Sequence, residues 1–164
     1  MSVDIKNAVS EKLIKILETN ALMLNVPIPG LKISPAKFFK TPTTRAALIG
    51  NEDLSDVELH VNRDYLRMFE TDEPQAWLAI SHEMRHFWQI VNGSALCDYE
   101  TSDQTDIETY NAQDLELDAW AWASYVLQNV FGLYPTFDFL GDGYTEKVLD
   151  RTKEIEKTKK PLAW

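Results

Sequence analysis

The stretch Pro74-Gln75-Ala76-Trp77-Leu78-Ala79-Ile80-Ser81-His82-Glu83-Met84-Arg85-His86-Phe87-Trp88-Gln89-Ile90-Val91 decides how this chain is read. Its apolar residues recur at helical spacing. With Ile80 set at 0°, Met84, Phe87 and Val91 fall within about 40° of it and Trp77 near about 60°. Asp72 and Glu73 suit the positive end of a helix, Pro74 suits its first turn, and Asn92-Gly93 suits its end. The spacing therefore predicts a helix over 74–91.

His82-Glu83-Met84-Arg85-His86 lies inside that helix and has the form His-Glu-x-x-His. Histidines one turn apart share a side of the helix and fall near about 200° and 240°, opposite the apolar face. Two imidazoles so placed reach one metal ion at about 2.0–2.1 Å each. Glu83 projects from the flank, where it can take a proton from a water on the metal. The bland alternative is a solvated face with two ordinary histidines. It accounts less well for a fixed motif set in phase against an apolar stripe.

A catalytic zinc site needs three protein ligands. The chain has three histidines, His60, His82 and His86, and none follows the motif. A downstream carboxylate is the natural third ligand. A second helix, predicted from about 109 to 131, carries an apolar stripe of Leu115, Ala119, Trp122, Val126 and Val130. Glu116 sits at the margin of that stripe, where a carboxylate is costly without a partner. Asp118 lies about 160° around the helix and competes for the role. Asp114, Cys97 and His60 remain as further alternatives.

The pairing of His82, Glu83 and His86 with Glu116, Asp118, Ala119, Trp122 and Ala123 resembles the small gluzincin metallopeptidases of the ImmA/IrrE type. The resemblance covers roughly residues 55–131. It implies a zincin-like (minigluzincin) fold with a small, mostly antiparallel sheet and an active-site helix carrying the His-Glu-x-x-His motif. It also implies Zn2+ as cofactor, held by His82, His86 and Glu116, with Glu83 as the catalytic base and a peptide or protein as substrate. Trp120 stands where several related peptidases carry a polar residue beside the ligand Glu.

Outside the motif helices the pattern shortens. A first helix is expected over 3–24, with Val9, Leu13, Ile16 and Leu17 on its apolar face, ended by Pro27, Pro29 and Gly30. Lys32–Ser34, Phe38-Phe39, Ala46–Ile49 and Val57–Val61 read as strands. The last alternates cleanly and is expected to be a half-solvated strand at a sheet edge, pairing with extended substrate. A last helix is expected over about 144–158. Short strands followed by helices predict an α+β domain spanning 1–164.

His60 is a candidate substrate-binding residue on the polar side of 57–61, although a surface histidine is the plainer account. Tyr110 and Tyr99 are candidates to stabilise an oxyanion, against ordinary packing. Arg85 is expected to pair with a nearby carboxylate. The acidic run from Asp98 to Glu108 lacks the spacing of a calcium loop and reads as a solvated loop.

The formal charge of −10 argues against nucleic-acid and anionic-membrane partners, both of which need a basic footprint. One cysteine allows no intrachain disulfide, and no long apolar segment or leader is evident, so a cytoplasmic location is expected. The leading expectation is a zinc metallopeptidase. Its rival is a metal-binding regulatory or interaction protein with little turnover. Substrate identity and oligomeric state are not written in these residues.

Overall fold

Leu13, Ile16 and Leu17 recur at helical spacing, and in the computed structural model they are buried on one face of α1 (Glu11–Leu24). The structure describes residues 11–41, 43–50, 56–71, 73–92, 114–137, 140 and 143–158. Val9 and the predicted start of α1 lie outside them. The helix ends at Leu24, three residues before Pro27. Asn25 takes a left-handed conformation (φ 54°). Its N–H donates to the Leu22 carbonyl and the Val26 N–H to the Ala21 carbonyl, which satisfies the last turn.

Among the described residues the fold is α+β, with five α-helices and one three-stranded sheet. The strands are β1 (Gly30–Ser34), β2 (Ala46–Gly50) and β3 (Val57–Asn62). Their order is β1-β3-β2, with β1 parallel and β2 antiparallel to β3. The sheet is thus mixed rather than mostly antiparallel.

The expectation that 57–61 forms a sheet edge is also corrected, because β3 is paired on both sides. Alternation reports the two faces of a strand and is blind to its two edges. Nor is the second face of β3 solvated. Leu59 and Val61 fill one side, while His60 and Asn62 are buried on the other.

Phe38-Phe39 is not a strand. Ala36–Phe38 forms a 3-10 turn, in which the Phe38 N–H donates to the Pro35 carbonyl at 2.9 Å. Aromatic content suggested a strand, but Pro35 starts a turn there. The turn lays Phe38 flat on the His60 ring, with centroids 4.4 Å apart.

After β3, a 3-10 turn (Arg63–Tyr65) leads into the short α2 (Leu66–Glu70). The helix α3 (Pro74–Val91) has the predicted bounds, with Pro74 in its first turn and Asn92 as its C-cap. Trp77, Ile80, Met84 and Phe87 are buried as their phase requires, whereas Val91 is exposed. The helix α4 (Asp114–Val126) continues into a π-helical turn, Leu127–Phe131. Gly132 (φ 67°) closes that turn by donating to the Leu127 carbonyl, a conformation open to glycine at little cost. The helix α5 (Tyr144–Thr158) follows.

α3 packs against α1, α4 and β2, and α4 packs against α5. One buried amide joins three helices. Asn20 donates to the Ile16 carbonyl and to Ser81 Oγ, and accepts from the Trp122 indole N–H at 2.9 Å. No helix among the described residues is long and apolar enough to cross a membrane.

Candidate metal centre

The apolar stripe of α3 faces the core, which turns His82, Glu83 and His86 toward α4 and β2. Ala119 and Ala123 are fully buried and let α4 approach closely. Glu116 then meets the histidines although it is only 1 % exposed. Glu116 Oε2 lies 3.1 Å from His82 Nε2, Glu116 Oε1 lies 3.2 Å from His86 Nε2, and the two Nε2 atoms are 3.1 Å apart. One ligand atom from each residue lies within 4.8 Å of the others.

Protons alone fit this triangle poorly. A ring nitrogen offers one hydrogen or one lone pair, and each nitrogen here faces two partners. Four ligands at about 2.0–2.1 Å from a tetrahedral ion stand about 3.3 Å apart, close to the separations observed. The donor set, two imidazoles and a carboxylate, also suits zinc.

Glu83 flanks the cluster without joining the triangle. Its Oε1 is 3.9 Å from His82 Nε2, and its Oε2 accepts a hydrogen bond from the Leu48 N–H of β2 at 3.1 Å. Burial pushes its pKa above the usual carboxylate value, against the lowering effect of His82 and His86. For Glu116, burial pulls upward, but the two histidines hold it well below the usual range. For His86, burial pulls downward, but the Glu116 hydrogen bond and charge, together with Glu83 and Gln89, lift it to about 9.

Asp118 serves elsewhere. Arg85 grips it with two hydrogen bonds, of 2.7 and 3.1 Å, and Arg151 of α5 with bonds of 2.7 and 3.2 Å. Arg85 therefore pairs with a local carboxylate, as its place in the sequence suggested. Its guanidinium also lies 3.9 Å over the Trp88 ring and 5.0 Å from that of Trp122. Asp118 is held below its usual pKa by the two arginines and Gln89, against burial. Gln89 links this brace to the cluster through Asp118 Oδ2 and His86 Nδ1.

Trp120 covers one face of His82, with ring centroids 3.7 Å apart. His60 hydrogen-bonds Ser34 Oγ through Nδ1 at 2.9 Å and has Glu58 at 3.5 Å. It projects from the face of β3 opposite Leu59 and Val61, and it is not part of the His82–His86–Glu116 group. Tyr110, Tyr99, Cys97 and the acidic run lie outside the described residues, as does the Asp114 side chain. Tyr144, first in α5, was not singled out by the sequence. Its buried hydroxyl has no hydrogen-bond partner among the described residues, and burial with the Glu116 charge raises it to about 12.

Sequence reasoning also passed over Gln89 and the Leu48 amide. Gln89 could have been found as the residue one turn after His86. Nothing in the sequence marks Leu48, which reaches Glu83 only because β2 lies at the edge of the sheet. Compared with protein-family models, curated proteins and solved structures, the chain shows no match.

Proposed function

We propose that the chain is a zinc-dependent metallopeptidase, with His82, His86 and Glu116 as ligands and Glu83 as general base. The observation that carries this reading is the buried His-His-carboxylate triangle with an additional carboxylate at its side. The resemblance of both motifs to gluzincin peptidases supports it. When bound, zinc would polarise a peptide carbonyl and lower the pKa of a water.

Glu83 would be the group that takes a proton from water and gives it to the departing amine. A carboxyl with a raised pKa suits both halves of this task. The Leu48 N–H holds one oxygen of Glu83 and leaves the other toward the cluster. Extended substrate would pair with β2 on either side of Leu48, whose N–H is taken by Glu83, rather than with β3, both edges of which are occupied. Among the described residues no strand pairs with the outer edge of β2.

Metal analysis of the purified chain tests the reading first. Close to one zinc per chain is expected, and a chain that takes up no added zinc ends it. Glu116→Ala should weaken zinc binding by more than the roughly 10–100-fold typical of residues behind the ligands. An unchanged affinity would reject Glu116 as a ligand.

Zinc must also displace the proton on His86. The apparent affinity should therefore rise about tenfold per pH unit until His86 titrates, and flatten above that point. With the metal-free pKa of His86 at about 9, competition titrations from pH 6 to 10 would resolve the bend. A flat profile would contradict the assignment of His86.

The burial of all three ligands favours a second reading, a metal-binding regulator with little turnover. Zinc at full occupancy, with no cleavage of a diverse peptide mixture by the wild type, would select it.

A further inference from the structure

We infer that Gln89 is a positioning residue, which fixes the His86 imidazole with a hydrogen on Nδ1 and so directs Nε2 to the metal. The inference rests on the zinc reading above. Gln89 is 1 % exposed, on the side of α3 that meets α4. Its Nε2 lies 3.0 Å from the Leu115 carbonyl and 3.0 Å from Asp118 Oδ2. Both partners accept: the Leu115 carbonyl has only lone pairs, and both Asp118 oxygens already take hydrogen bonds from Arg85 or Arg151.

An amide nitrogen brings two hydrogens, and these two acceptors use both. The amide cannot be turned over without setting its oxygen against two other oxygens. Its Oε1 therefore faces His86 Nδ1, at 2.8 Å. That oxygen can only accept, so Nδ1 carries the hydrogen. A neutral imidazole with a hydrogen on Nδ1 has its lone pair on Nε2, the atom that faces Glu116 and His82.

Among the described residues His82 has no such device. Its Nδ1 is buried with no hydrogen-bond partner among the described residues, and the Trp120 ring lies against its face instead. Orientation of the two histidines is thus divided between a hydrogen-bonded chain for His86 and stacking for His82. The chain runs from the arginines through Asp118 and Gln89 to His86.

Zinc affinity, measured by chelator competition, tests this on the full chain. Gln89→Met keeps the volume and removes the acceptor, so a loss of about 10–100-fold is expected. Gln89→Glu keeps an oxygen opposite Nδ1 but sets its second oxygen against the Leu115 carbonyl and Asp118, so it should recover only part of that loss. A role in packing alone predicts the reverse order, since Met fills the space and a new carboxylate opposes Asp118.

Wild-type affinity in Gln89→Met, or a larger loss in Gln89→Glu than in Gln89→Met, overturns the inference while leaving the zinc site standing. A wild type that binds no zinc removes both. Should Gln89→Met fail to fold, proton NMR of the zinc-loaded wild type decides. A slowly exchanging His86 Nδ1–H supports the chain, and its absence overturns it.

Discussion

Replacing Glu83 by Gln is expected to lower the turnover of a cleaved peptide by about 10²–10⁴-fold, the usual contribution of a general base. Zinc content should stay at the wild-type level, since Glu83 flanks the ligand triangle without joining it. Gln has nearly the same shape as Glu. Its oxygen can still accept from the Leu48 N–H, so β2 and α3 stay joined. What it lacks is the capacity to take a proton. The stability of the metal-free protein should hold or rise, because burial already disfavours the charge on Glu83. Turnover and zinc content measured on the same preparation check the point. Full turnover in Glu83→Gln would exclude Glu83 as the base.

Asp118→Ala is expected to cost about 3–5 kcal/mol of folding stability, the range for breaking a buried ion pair by removing one partner. Arg85 would be left 6 % exposed without its carboxylate, and Gln89 would lose one of its acceptors. Denaturant unfolding of the metal-free protein measures the loss. The pH dependence has a definite sign. The Asp118 pKa is lowered on folding, so its contribution is full above the unfolded value of about 3.9 and fades as pH falls through the lower folded value. The variant should therefore lose less than the wild type on acidification. A loss below about 1 kcal/mol, the level of an exposed ion pair, would mean that the Arg85–Asp118 contact is worth little.

The helix that carries His82 to His86 was legible because every local signal agreed. The apolar phase, Pro74 and Asn92 all bound the same segment. Glu116 was legible as a carboxylate placed where only a partner would make it tolerable, and the structure brings it to both histidines. Asp118 was legible only as a rival to Glu116. Its partners are three residues on two other helices, Arg85 and Gln89 on α3 and Arg151 on α5, and no local pattern announces such a meeting. The sheet failed for a related reason. The alternation in 57–61 was right about which residues share a face but wrong that one face is solvated, and the strand's place in the middle depends on β1 and β2. His60 is buried because Phe38 folds over it, which a turn at Pro35 brings about. Tyr110 lies outside the described residues.

The Asn20 amide bears on any attempt to transplant the centre. α1 supplies no candidate ligand, so a minimal graft would copy α3 and α4 alone. Asn20, however, is the partner of Ser81, the residue just before His82, and of the Trp122 indole, six residues beyond Glu116. A host scaffold without that amide would take away one hydrogen bond from a buried hydroxyl and one from a buried indole beside the candidate ligands, at about 1–3 kcal/mol for each. The portable unit is three helices, because the one that carries no candidate ligand holds a hydrogen bond to each of the other two.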